Sequence, residues 1–190
     1  INIIKKILGK GRHSLHEPYF CGNEWKYVKK TLDDNYVSSI GSFVNKFEDQ
    51  IKKFTKSKYA ISVVNGTEAL HLSLVACGVK NDDEVFVPTI TFAGTANAIT
   101  YARAVPHFVD SELETLGIDP IKLEKYLQKI SIKKGKFYFN KKTNRRISAI
   151  IPVHVFGNIC QIDKILKIAK KYNLIVIEDA AEALGSFLHN

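Results

Sequence analysis

The sequence predicts an α/β fold, a mostly parallel sheet with helices on both faces, and three observations carry that prediction. Short apolar runs alternate with helical patterns along most of the chain. One of those runs, residues 174–177, is apolar without interruption and ends in two carboxylates, Glu178 and Asp179. Finally, 190 residues that are 45% hydrophobic and 25% charged suffice for one ordinary domain with a sizeable core.

In chain order, residues 22–34 place Trp25, Val28 and Leu32 at spacings of three and four, which predicts an amphipathic helix. "YVSSIGS" breaks it. "FVNKFEDQIKKF" repeats the pattern with Phe43, Phe47, Ile51 and Phe54 as core positions and the lysines on the polar face. Strand and helix then take turns: "YAISVV", "TEALHLSLVACG", "DEVFVP", "AGTANAITYAR", "VPHFVD", "DPIKLEKYLQKI", "ISAIIPVHV", "QIDKILKIAKKYN" and "LIVIEDA". No repeat, low-complexity tract or linker interrupts this series, so the reading keeps a single domain.

Charge and cysteine content narrow the function classes. The net charge is +9, but residues 133–146 hold seven Lys and Arg and no acid, and the remaining 21 basic residues nearly balance 19 acidic ones. Confined basicity of this kind predicts an exposed hairpin turning at "FNKKTN"; a contact with phosphate, a partner subunit or nucleic acid is the alternative. Cys21, Cys77 and Cys160 show no C-x-x-C spacing, and His13 and His16 near Cys21 do not complete a metal site. No run reaches the roughly 18 apolar residues that span a bilayer, and the first residues lack a secretory h-region, so the cytoplasm is expected. The chain has no methionine and begins with isoleucine, which suggests a displaced start.

In parallel α/β sheets, ligands gather beyond the carboxyl ends of the strands. Past "YAISVV", Asn65 and Gly66 form a turn, and Thr67 and Glu68 open a helix whose free N–H groups offer an anion site; an ordinary capped helix is the plain alternative. Past "DEVFVP" stands Phe92, a stacking ring or a core residue. Past "LIVIE" stands Asp179, a carboxylate that needs a partner, with Glu182 expected one helical turn further on and facing the same space. Neither G-x-G-x-x-G nor the P-loop pattern occurs. An anion site, an aromatic face and an acid together describe a flat, phosphorylated, cationic heteroaromatic ligand, which pyridoxal phosphate fits.

The segments "YVSSIGSFVNKFE", "VVNGTEALHLSL", "DEVFVPTITFAGTANAI", "PVHVFGN" and "IEDAAEALGS" occur in the order found in the DegT/DnrJ/EryC1/StrS family of pyridoxal-phosphate-dependent sugar aminotransferases, and over nearly its whole length the chain resembles that family. The wording "CGNEWKYVKKTLDDNYVSSIGS", the basic hairpin and Glu182 look most like its legionaminic-acid branch, whose members aminate C4 of a 4-keto-6-deoxy nucleotide sugar for surface glycan or polysaccharide synthesis; perosamine synthases share much of the wording. The resemblance implies the large domain of a fold-type-I transferase, pyridoxal 5'-phosphate as cofactor, a nucleotide-sugar substrate with an amino-acid donor, and a homodimer. It places the cofactor phosphate at Gly66, Thr67 and the amide of Glu68, the ring against Phe92, the ring nitrogen at Asp179 and the ring's oxygen side at Glu182.

One family feature has no counterpart. The Schiff-base lysine lies downstream of "EDAA" in family members, and no lysine follows Asp179 here. The resemblance therefore implies an N-terminal part of the cofactor-binding domain without the small C-terminal domain, a truncated chain expected to be inactive by itself. Two other functions remain to be weighed: a remnant that binds cofactor or a partner without turnover, and a basic nucleic-acid-binding domain using residues 133–146.

Overall fold

The computed structural model describes residues 1–9, 11 and 18–188. Its packing divides into two compact units, Ile1–Ser62 and Val63–Asn190. His13 and His16, weighed above as metal ligands, lie outside the described residues, and among the described ones no three His, Cys, Asp or Glu side chains are grouped to hold a metal. No helix among the described residues is long and apolar enough to cross a membrane.

The first unit holds helices α1 (Asn2–Leu8), α2 (Glu24–Asp33) and α3 (Ser42–Thr55). The 3–4 spacing produced α2 and α3 as expected, and the Tyr27 and Phe43 rings meet at 5.4 Å. The expectation that the α3 aromatics form a core does not hold: no residue of either helix is buried, and Phe47 and Phe54 stand about half exposed. So few residues cannot enclose an interior.

The second unit holds α4 (Gly66–Ala76), β1 (Glu84–Pro88), α5 (Ala93–Tyr101), β2 (Val105–Val109), α6 (Pro120–Ile130), β3 (Ser131–Lys134), β4 (Phe137–Asn140), β5 (Arg146–Ile150), α7 (Ile162–Tyr172) and β6 (Ile175–Val176). The sheet runs β2-β1-β5-β4-β3, with β6 also on β5. Pairing is parallel for β1 with β2, β1 with β5 and β5 with β6, and antiparallel along β3, β4 and β5. The predicted α/β architecture is the observed one.

Every residue of β1 is buried, as a strand covered on both faces requires. Phe86 points into a core with Ile118, Leu123, Leu127, Ile150 and Ile165, under α6 and α7. Its neighbours Val85 and Val87 face the other way, into a core with Leu74, Ala98, Ile99 and Ile177, under α4 and α5. The alternation of side chains along one strand thus separates the two helical layers.

Two sequence expectations need correction. "YAISVV" forms no strand among the described residues. β-propensity supplies no ladder, and a strand exists only where a neighbour satisfies its backbone. The basic stretch is also more than one solvated hairpin. β3 and β4 turn at Gly135, whose φ of +60° favours glycine, and "FNKKTN" is a second turn joining β4 to β5.

That second turn is anchored to the amino end of β1. Buried Glu84 accepts hydrogen bonds from Asn140 Nδ2 at 2.9 Å and Thr143 Oγ1 at 2.5 Å and bonds His107 Nδ1 at 2.8 Å, whose Nε2 meets the Tyr126 hydroxyl at 3.1 Å. Burial pushes the Glu84 carboxyl up, but the bonds from His107, Thr143 and Asn140 outweigh it and hold the group below the usual range. Next to it, Arg146 grips Asp83 at 2.6 Å and lies over the Phe137 ring.

Cys160 is buried, and that burial, helped by the charge of Glu178, pushes its thiol up to about 12. Titration of the native chain with an aromatic disulfide at pH 8 should modify exposed Cys21 and Cys77 and reach Cys160 only on unfolding. Glu84 gives a pH signature. Because its folded pKa is depressed, its contribution is complete above the unfolded value of about 4.3 and is lost as pH falls through the folded value. Glu84→Gln should cost about 1–3 kcal/mol at pH 7, and the gap from wild type should narrow as urea unfolding is repeated below pH 4.

Candidate functional site

Parallel pairing brings the carboxyl ends of β1, β5 and β6 to one edge of the sheet, where the sequence-predicted residues are found. Past β6 the chain stays alongside β5. Ile177 N–H donates to Ile150 O at 3.1 Å, Asp179 N–H donates to Pro152 O at 2.9 Å, and His154 N–H donates to Asp179 O at 3.1 Å. The Asp179 backbone is therefore fixed on both sides. Its side chain is fixed as well: Thr95 Oγ1 donates to Oδ2 at 2.7 Å, and the Ala181 N–H reaches Oδ1 at 3.3 Å. The partner that a half-buried carboxylate requires is thus a hydroxyl from the first turn of α5.

Phe92 is the N-cap of α5 and is 79% exposed. Among the described residues Phe92 is not packed into either core and stands exposed beside the strand end. Thr67, in the first turn of α4, stands across from it. A Cβ placed on Gly94 would lie 2.5 Å from Thr67 Oγ1 and 2.9 Å from Phe92 Cδ1, so Gly94 is what lets the hydroxyl and the ring approach. Asp179, Thr95, Gly94, Phe92 and Thr67 form one continuous group.

The start of α4 is a capped helix. Asn65 Oδ1 accepts the Glu68 N–H at 2.9 Å, so that amide already has a partner. The N–H groups of Gly66 and Thr67 precede the first N–H that finds an intrahelical acceptor, that of Ala69 on Asn65 O. The Glu68 amide, to which the resemblance assigns the cofactor phosphate, is thus part of the helix cap here.

Glu182 occupies a turn, not the helix expected after Asp179. Its Oε2 accepts the Phe156 N–H at 2.8 Å, which binds it to the turn Val155–Gly157 beyond β5. Glu178, left without a role by the sequence, bonds His154: the ring accepts the Cys160 N–H at Nδ1 (3.3 Å) and so carries its proton on Nε2, toward Glu178 Oε2 at 3.0 Å. That bond holds the Glu178 carboxyl below its usual range. The sequence reading missed Thr91, Gly94, Thr95 and His154. The spacing of four between Thr91 and Thr95, bracketing Phe92 at a helix start, was the available signal for the hydroxyl pair.

The second unit is thus an α/β sheet with a helix N-terminus, an exposed aromatic residue and an oriented acid along its carboxyl edge. The X-ray structure of the aminotransferase from Psychrobacter cryohalolentis matches the chain with a TM-score of 0.74 at 31% identity, covering 88% of this chain and 39% of that one. The pattern of the DegT/DnrJ/EryC1/StrS aminotransferase family matches residues 20–190, and the chain belongs to that family. A GDP-perosamine synthase of Caulobacter vibrioides is 41% identical over 175 residues, 92% of this chain and 43% of that protein. A putative pyridoxal phosphate-dependent aminotransferase of Bacillus subtilis is 36% identical over 172 residues, 90% of this chain and 42% of that protein. The chain thus spans less than half the length of these relatives.

Gly94 gives the packing test of this group. Gly94→Ala should destabilise the chain by about 1–3 kcal/mol in urea unfolding, because the added methyl meets Thr67 and the Phe92 ring together. An unchanged midpoint would show that the two elements separate without cost.

Proposed function

We propose that this edge holds pyridoxal 5'-phosphate in a sugar aminotransferase that converts a 4-keto-6-deoxy nucleotide sugar into the 4-amino sugar, with an amino acid as donor, for surface glycan or polysaccharide synthesis. The observation that carries the reading is the convergence of Thr67, Phe92 and Asp179 on one strand edge. The resemblance of the chain's wording to the legionaminic-acid branch and its 41% identity to a GDP-perosamine synthase both support a nucleotide-sugar substrate. In this reading the protein works in the cytoplasm as a homodimer, and residues 1–190 are the N-terminal part of the cofactor-binding domain.

The residues present fit the cofactor. The α4 N-terminus and Thr67 hydroxyl would hold its phosphate, the exposed Phe92 would stack on its ring, and Asp179 would pair with the ring nitrogen. The space that a Cβ on Gly94 would fill is left open between two of these contacts. When bound, the cofactor supplies an electron sink for the carbon that loses its proton, and it does so best with its ring nitrogen protonated. Asp179 keeps that proton in place by pairing with it. Glu182, through its carboxylate beside the Val155–Gly157 turn, is assigned to the ring's oxygen side. The proton shuttle between carbons is the task of a lysine in this chemistry; the resemblance puts that lysine downstream of Asp179, and residues 180–190 hold none.

Pyridoxamine 5'-phosphate tests the site without side reactions, since it lacks the aldehyde that labels surface lysines. Calorimetric titration should show saturable binding to the chain, weakened at least tenfold in Asp179→Asn. Absence of saturable binding would sink the reading.

A further inference from the structure

We propose that Thr95 is a positioning residue for the cofactor's ring nitrogen: its hydroxyl orients Asp179, and Thr91 in turn orients that hydroxyl. The inference rests on the cofactor reading above and adds a residue pair, Thr91 and Thr95, that the sequence patterns did not mark.

Thr95 is 1% exposed, so water does not satisfy its hydroxyl. Two partners do. Thr91 Oγ1 donates to Thr95 Oγ1 at 2.8 Å, and Thr95 Oγ1 donates to Asp179 Oδ2 at 2.7 Å. The first bond occupies an acceptor site of the Thr95 oxygen and leaves its single proton for the carboxylate. Bonds in such a chain polarise one another, and a hydroxyl bonded to an ionised acceptor is among the stronger kinds.

The arrangement sets the direction of the acid. Oδ2 is pinned by Thr95 and Oδ1 is approached by the Ala181 N–H, which together fix the carboxylate plane while each oxygen keeps a further lone pair. The same helix start supplies the ring. Phe92 is the α5 N-cap, and Thr95 N–H donates to Phe92 O at 3.0 Å. One helical turn therefore locates the stacking face and the orientation of the acid relative to each other, which is the geometric demand that a flat cationic ring imposes. Sequence separation between Thr95 and Asp179 is 84 residues, so the pairing exists only through the parallel sheet.

A purely structural bond, holding α5 to the strand end, would predict the same contacts, and the ligand must separate the two roles. The probes are pyridoxamine 5'-phosphate and its 1-deaza analogue, which keeps the phosphate and ring but has carbon where the nitrogen stands. Binding of each to the wild-type chain, Thr95→Val, Thr95→Ala and Thr95→Ser is measured by calorimetry. Removal of the hydroxyl in either the Val or the Ala variant should weaken pyridoxamine 5'-phosphate about tenfold and leave the deaza analogue within about twofold of wild type. Thr95→Ser, which restores the hydroxyl, should recover the preference for the nitrogen-bearing ligand.

Equal weakening of both ligands, or no weakening of either, overturns the positioning role, as does a serine variant that behaves like valine. Failure of the wild-type chain to bind either ligand is a different result: it overturns the cofactor reading, and the inference with it. Retained deaza binding also reports that each variant is folded around the site.

Discussion

Asp179 sits where a parallel strand would place any residue just past its end, but its usefulness depends on being held there by contacts on every side. Its backbone is clamped between Pro152 and His154, and its carboxylate is engaged by Thr95. An acid at this position without such partners would rotate, take up water or lose its charge. Around it the other features fall into place: Phe92 one turn before Thr95, Thr67 facing Phe92 across Gly94, and Glu178 tied to His154.

The opposite end of β1 shows a second polar arrangement with a different job. Glu84 is enclosed by His107, Asn140 and Thr143, while Asp83 is gripped by Arg146. Buried polar groups are costly unless every partner is present, and here they come from β2, the β4–β5 turn and β5. The network fastens the antiparallel meander to the parallel half of the sheet. Several residues that gave the sequence its basic stretch are engaged in this way: Arg146 pairs with Asp83, Lys134 donates to Asn144, and Lys141 donates to the Lys129 carbonyl. One strand thus has a structural polar cluster at its start and leads to the candidate site at its finish.

The sequence by itself determined the layers. The apolar spacing of α6 and α7, the unbroken apolar run of residues 174–177 and the alternation of strand with helix leave few ways to bury the chain other than a sheet between helices. It also offered Phe92 and Asp179 as candidates past strand ends and Thr67 as one at a helix start, although the strand expected before Thr67 does not form. Local chemistry sufficed for these readings, since capping, propensity and burial cost act within a few residues.

Only the tertiary structure decided who the partners are. Thr95 reaches Asp179 from 84 residues away, and Gly94 matters for the gap between two helices and not for its own backbone. "YAISVV" has strand propensity yet no ladder, the α3 aromatics have a helical stripe yet no burial, and Glu182 follows Asp179 in a turn that faces Phe156. Propensity and periodicity describe what a segment can do with a suitable neighbour. Which neighbour it receives depends on how the chain returns, and that is set by packing across the sheet rather than by the segment's own residues.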